Sequence, residues 1–305
     1  MIDELYVAYG SRYLDWKLGK NHPTNPERAF LATEYLMNEV SNVTIVSPNI
    51  HADDVRKLTE VHSAKYVEDV LFRGVCDEWE GSNISLGNTA LTMFAGTARL
   101  VELMIAKEAR VAFNPQGAKH HAQYENSSGF CVFNDMAWSA GEFAKHGLTS
   151  LYIDWDAHHG DGVENLLLES GTVTASIHDG TIYPGTGRDG HDVKLGAYNW
   201  ALPRNSGDEK FVEAMNQIRE LADIVKPDVI LLATGADAHK DDPLSSLNFS
   251  YDGYEYASDV VADIANKYSE GRVLIGGAGG YQPLTHTPRI WAQVVTDIFN
   301  KTRGD

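Results

Sequence analysis

Apolar residues along this 305-residue chain follow two rhythms. Short compact runs at 4–9, 43–46, 111–113, 148–154, 173–178, 228–233 and 272–275 read as strands. Stretches with apolar positions three and four apart read as helices. These cover 27–40, 53–72 (in one or two segments), 89–107, 135–145, 162–169, 208–225, 252–267 and 288–299. In 89–107, Leu91, Phe94, Ala98, Val101 and Ile105 form one stripe. Residues 73–88 read as irregular, and 179–205 as a loop holding Tyr183-Pro-Gly-Thr-Gly187. From residue 148 onward strands and helices alternate, which calls for a mainly parallel sheet covered on both faces. No internal repeat, low-complexity tract or linker interrupts the pattern. The expectation is a single three-layer α/β domain over 1–305.

Composition narrows the classes. A hydrophobic share of 43% and a charged share of 22% suit a globular protein with a large core. The formal charge of −18 argues against a general nucleic-acid binder, which needs a basic patch for phosphate. It agrees with a cationic substrate, but also with an acidic surface that serves solubility. Cys76 and Cys131 lie in no CxxC or Cys/His cluster and read as core residues of a reduced protein. The first residues lack the basic and long apolar regions of a signal peptide, and no apolar run approaches membrane-spanning length. A cytoplasmic protein without membrane contact is expected.

The densest chemistry is Asp154-Trp-Asp156-Ala-His158-His159-Gly-Asp161, at the end of the run 148–154. Five ionisable groups there are costly unless they pair or bind something. Carboxylate and imidazole together suit zinc or another first-row divalent ion; the competing reading is a polar strand-to-helix turn. His120-His121, Asp237 and Tyr281 also follow predicted strands, whose carboxyl ends form the ligand crevice of an open α/β sheet. Asp237 with Asp156 and His158 makes a three-ligand set with one open position, the layout of catalytic rather than structural zinc. His120 and His121 read either as exposed histidines or as bases oriented by carboxylates. His239, Asp241 and Asp242 read as turn residues ahead of Pro243. Gly276-Gly-Ala-Gly-Gly280 lacks the Lys-Ser/Thr of a phosphate loop and reads as a backbone that lets the Tyr281 hydroxyl approach a carbonyl. Phe130 and Tyr183 read as core aromatics or as walls of a narrow channel.

Taken together these pieces resemble the zinc-dependent histone deacetylase and acetylpolyamine amidohydrolase family, of the arginase–deacetylase fold. The matching motifs are His22-Pro-x-x-Pro-x-Arg28, Glu60-Val-His62-Ser63, His120-His121-Ala122, Ser128-Gly-Phe-Cys131 with Asn134-Asp135, Asp154 to Gly162, Tyr183 to Gly187, Gly235-Ala-Asp237 with Asp242-Pro243, and Gly279-Gly-Tyr281. They run in family order over nearly the whole chain. The resemblance implies one Zn²⁺ on Asp156, His158 and Asp237, with iron or cobalt as other possible native metals. It implies His121 as general base and acid with Asp161 as its partner, and His120 with Asp154 as an electrostatic neighbour. Tyr281 would donate to the substrate carbonyl. Phe130, Tyr183, Leu244 and Gly279 would line the substrate tunnel, and Arg28 would sit beside an internal cavity. A potassium site is implied at Asp154, Asp156 and Ser176, with carbonyls near His158 and Ile177; His159 receives no catalytic role.

There are departures. Asn114-Pro-Gln-Gly-Ala-Lys119 replaces a Pro-Gly-Gly-like run, Tyr183 stands where Phe is frequent, and Asn88 is the nearest candidate for the rim aspartate of the family. The expected substrate is therefore acetyl-lysine in a protein, or an acetylated polyamine or other small acetylated amine. A two-metal ureohydrolase resembling arginase and a catalytically silent acyl-ligand binder are the rival readings. Oligomeric state is not encoded in any motif.

Overall fold

The computed structural model describes residues 4–20, 22–188 and 190–302. Met1 to Asp3, on which the absence of a signal peptide was read, lie outside them. Eight strands form one sheet: β1 (Leu5–Ala8), β2 (Val43–Val46), β3 (Val111–Asn114), β4 (Ser150–Asp154), β5 (Val173–Asp179), β6 (Ala197–Leu202), β7 (Val229–Ala233) and β8 (Val273–Gly276). Their order across the sheet is β2-β1-β3-β8-β7-β4-β5-β6, and every pairing is parallel.

The helices are α1 (Glu27–Glu39), α2 (Asp54–Leu58), α3 (Ala64–Glu68), α4 (Ile84–Ile105), α5 (Asp135–Lys145), α6 (Asp161–Leu167), α7 (Asp208–Val225), α8 (Tyr251–Tyr268) and α9 (His286–Lys301). Strand alternation divides the core in two. On β7, Ile230 and Leu232 join the cluster with Phe211, Val260, Trp291 and Val295 of α7, α8 and α9. Val229, Leu231 and Ala233 join the cluster with Phe94, Met136 and Trp138 of α4 and α5. Both faces are covered, so β7 is apolar at every position, as expected for a strand of a buried parallel sheet. No helix of the described residues is long and apolar enough to cross a membrane.

Three boundaries differ from the pattern. A strand, β6, lies inside the expected loop 179–205. It is an edge strand that pairs only with β5, and its sequence Ala-Tyr-Asn-Trp-Ala-Leu carries no continuous apolar run. α4 starts at residue 84 rather than 89, because Asn83 caps it by accepting the Leu86 N–H at 3.1 Å. The stretch 53–72 becomes α2, α3 and a π-helical turn at Asp69–Arg73.

Candidate active site

Four neighbouring strands, β3, β8, β7 and β4, deliver the site from their carboxyl ends. The loop after β3 carries His120 and His121. It is pinned by Asp135 at the start of α5, whose carboxylate accepts the Ala118 N–H (3.0 Å), the Lys119 N–H (2.8 Å) and the Thr97 hydroxyl (2.6 Å). Asn134 caps α5 and donates to the Ala122 carbonyl at 3.0 Å. His62 fastens the same loop from below, bonded to the Gln123 carbonyl (2.8 Å) and accepting the Asn134 N–H (2.9 Å). These motif residues are thus the mounting of the histidine pair.

Each histidine of the pair faces its own carboxylate. His120 Nδ1 lies 2.8 Å from Asp154, which also accepts the Tyr152 hydroxyl at 2.6 Å. His121 Nδ1 lies 2.6 Å from Asp161, whose other oxygen accepts from Gln123 at 3.0 Å. Burial opposes charging of His120, but Asp154 and Asp156 outweigh it and lift its pKa to about 9. Burial and the neighbouring His120 charge pull His121 down to about 4, against Asp161.

Asp156, His158 and Asp237 are buried and offer donor atoms within 4.8 Å of one another. His158 Nδ1 sits 3.1 Å from Asp156 and 3.0 Å from Asp237. The far oxygens are held by backbone: Gly279 N–H donates to Asp156 at 2.5 Å, and Ala157 N–H to Asp237 at 2.8 Å. A Cβ on Gly279 would fall 2.2 Å from Asp237 and 2.5 Å from Asp156, and one on Gly235 would fall 2.3 Å from the Asp156 Cα. Glycine is what lets the two loops close on the carboxylates. Burial disfavours charge on His158, yet the two aspartates drive its pKa well above the ordinary value. Burial and the Asp156 charge raise Asp237 to about 6. Two buried carboxylates converging on one imidazole nitrogen thus demand a positive charge between them, and the donor set fits a divalent cation.

Two cavities meet at this point. The outer one, about 420 Å³, is lined by His121, Gly129, Phe130, His158, Ile182, Tyr183, Leu244 and Tyr281. Tyr183 and Leu244 stand half open at its mouth, and the Ser128 and Tyr183 hydroxyls hydrogen-bond across it. The inner cavity, about 20 Å³, is lined by Arg28, Lys119, Cys131, Asp156, Gly279 and Tyr281 among others. Gly279 thus belongs to the inner cavity rather than the outer wall. Arg28 donates to the Gly280 carbonyl at 2.7 Å. Burial, with Arg28 nearby, lowers Lys119 to about 8, and its ammonium has no hydrogen-bond or ion-pair partner among the described residues.

Other predicted residues fall elsewhere. Asn88 lies within α4 and lines neither cavity. Ser176 pairs in register with Asp154 and bonds His178 at 3.0 Å; Ile177 is buried core beside it. His159 bonds Thr186 (2.8 Å) and Glu164 (3.2 Å), bracing the loop to Gly187. Glu78 belonged to no motif and Asp242 was quoted in one without a role, yet both hold backbone at the tunnel. Glu78 accepts the Phe130 N–H at 2.9 Å, and burial raises it to about 7. Asp242 accepts the Tyr281 N–H at 2.7 Å.

A parallel sheet bearing an Asp/His/Asp cluster and two His–carboxylate pairs at the floor of a channel defines a hydrolase of the α/β class with a candidate metal centre. The family model for the histone deacetylase domain matches residues 22–298. The acetoin utilization protein AcuC of Staphylococcus aureus strain MRSA252 is 31% identical over 96% of this chain and 81% of its own. AcuC of Bacillus subtilis strain 168 matches with the same figures. The crystal structure of the HDA15 HD domain superposes with a TM-score of 0.81 at 23% identity, covering 97% of this chain and 89% of that one, and shows the shared fold. The chain belongs to the histone deacetylase family. It is a deacetylase.

Proposed function

We propose that the chain is a zinc-dependent amidohydrolase that removes acetyl or other short acyl groups from an amine carried on an extended alkyl chain. The observation that carries this reading is the outer cavity. Its wall of Phe130, Ile182, Tyr183 and Leu244 ends on Tyr281, His121 and His158, as an amide borne on a methylene chain requires. Acetyl-lysine in a protein or an acetylated polyamine both have that form.

Zn²⁺ on Asp156, His158 and Asp237 would polarise the amide carbonyl and acidify water at the site. The chain supplies the rest. His121 is held neutral at physiological pH by burial and by His120, and Asp161 occupies its Nδ1, so Nε2 is the free base. It takes the proton of the attacking water and returns it to the departing amine. His120, bound to Asp154, stays protonated and balances the carboxylates behind it. Tyr281 donates its hydroxyl to the carbonyl oxygen as negative charge develops there. One cluster of Asp/His donors at the tunnel floor supports the deacetylase reading over the two-metal ureohydrolase. Asp154 and Ser176, paired in register, with carbonyls near His158 and Ile177, are proposed to hold a structural potassium ion. The two cysteines are free, which supports a reducing, cytoplasmic setting.

The test is a panel of acyl-lysine peptides and acetylated polyamines, with and without chelator. Release of acetate that chelation abolishes and zinc restores is expected. No release from any acyl-amine by the zinc-loaded chain, with binding retained, would favour the silent acyl-ligand binder.

A further inference from the structure

A second group of metal-type donors lies where the loop after β7 meets the start of α9. His239, Asp241 and His286 offer donor atoms within 4.8 Å of one another. His239 is 1% exposed, whereas the side chains of Asp241 and His286 are 51% and 33% exposed. The two imidazoles stack at 4.5 Å with an interplanar angle of 25°. Asp241 Oδ2 lies 3.8 Å from His239 Nδ1 and 3.5 Å from His286 Nε2.

The hydrogen bonding sets how each imidazole presents its ring nitrogens. The Asp241 backbone N–H donates to His239 Nδ1 at 3.3 Å, so that nitrogen presents a lone pair. The ring proton then sits on Nε2, which is buried and without a hydrogen-bond partner. The Nδ1 lone pair accepts the amide only over a long 3.3 Å contact, which an ion drawn to the Asp241 carboxylate, 3.8 Å from Nδ1, would replace. On His286 the remote nitrogen, Nδ1, is 3.0 Å from the Tyr251 hydroxyl. A ring that donates Nδ1–H to Tyr251 turns its Nε2 lone pair towards Asp241. Such an outer partner is the usual way a ligand histidine is set in its tautomer.

We propose that His239, Asp241 and His286 form a second divalent-metal site, separate from Asp156, His158 and Asp237, that takes zinc or another first-row ion favouring imidazole. Its exposed side admits the ion and leaves water to complete the coordination. The site joins the loop bearing Asp237 and Asp242 to the segment bearing Tyr281. Those segments already touch through Tyr281 N–H to Asp242 and through Gln282 Nε2 to the Asp241 carbonyl at 2.6 Å. The bound ion adds a further tie and braces Tyr281 at the tunnel floor.

The experiment counts zinc per chain by elemental analysis after the chelated, full-length protein is dialysed against micromolar zinc. Wild type is expected to hold two equivalents. His286→Ala and Asp241→Asn are each expected to hold one, with circular dichroism unchanged, and the exposed His51→Ala is expected to hold two. Asp156→Asn, which disables the tunnel site, is expected to retain one equivalent that the added His286→Ala removes. A count that neither His286→Ala nor Asp241→Asn lowers overturns the proposal. If instead wild type holds one equivalent and His286→Ala removes it, the second site stands and the tunnel metal fails.

Discussion

Gly279→Ala puts a methyl group where the structure has no room for one. The added Cβ would lie 2.2 Å from Asp237 Oδ2 and 2.5 Å from Asp156 Oδ2. A carbon–oxygen contact needs roughly 3.3 Å or more, so the two carboxylates or the loop must give way by about 1 Å. Metal ligands tolerate displacements of only about 0.2 Å. A misplacement of about 1 Å at a working site is worth roughly 10²-fold, or about 2.7 kcal/mol. If the loop moves instead, Asp156 loses the Gly279 N–H. The measurement is zinc affinity by chelator competition, in a His286→Ala background so that the tunnel site alone reports, alongside kcat/KM for deacetylation. Both are expected to fall about 10²-fold with the fold intact by circular dichroism. Gly141→Ala is the control: nothing lies within 4 Å of its Cβ on α5, and it is expected to stabilise by up to about 1 kcal/mol. Unchanged zinc affinity and turnover in Gly279→Ala would refute the claim that Asp156 and Asp237 are a ligand pair closed by this glycine.

Three further outcomes are expected. Tyr281→Phe should lower kcat by about 10²–10³-fold, the usual cost of losing an oxyanion donor, while bound zinc remains; full turnover removes Tyr281 from the chemistry. Burial holds His62 at about 4 against the 6.5 of a free imidazole. Its contribution to stability is therefore complete above pH 6.5 and is lost as pH falls towards 4, by roughly 3 kcal/mol. Urea unfolding across that window should show the slope, and His62→Gln should flatten it. Lys119→Met removes an unpartnered buried ammonium, whose pKa burial lowers to about 8. It should raise stability at pH 7 by on the order of 2 kcal/mol, and a lower melting temperature would contradict that account.

The site was legible wherever chemistry is local. Asp154, Asp156, His158 and Asp161 sit within eight residues, and the family resemblance implied separate roles for them. His120, His121, Asp237 and Tyr281 could be named because each lies in a loop that follows a strand. β6 was not legible, because an edge strand needs no unbroken apolar run. Asn88, the nearest candidate for a rim residue, lies inside α4, whose start depends on the cap at Asn83 rather than on its apolar stripe. Glu78 escaped notice and Asp242, though part of a quoted motif, received no role, because each acts through one backbone N–H, of Phe130 and of Tyr281. Such a contact leaves no residue pattern.

The sequence by itself determined the fold class, the family and the donor types, because these rest on periodicity and on motifs that each span a few residues. Tertiary structure alone decided the neighbours. β8 and β7, last in the chain, insert between β3 and β4. That insertion carries Gly279 and Asp237 between the histidine pair and the Asp156 loop. Non-local strand order of this kind is set by how two apolar faces pack on a twisted sheet, and no local pattern records it. The same packing brings His286 over His239 and Asp241, 45 residues or more away along the chain. His239 and Asp241, which read singly as turn residues, thereby join His286 in one set of donors.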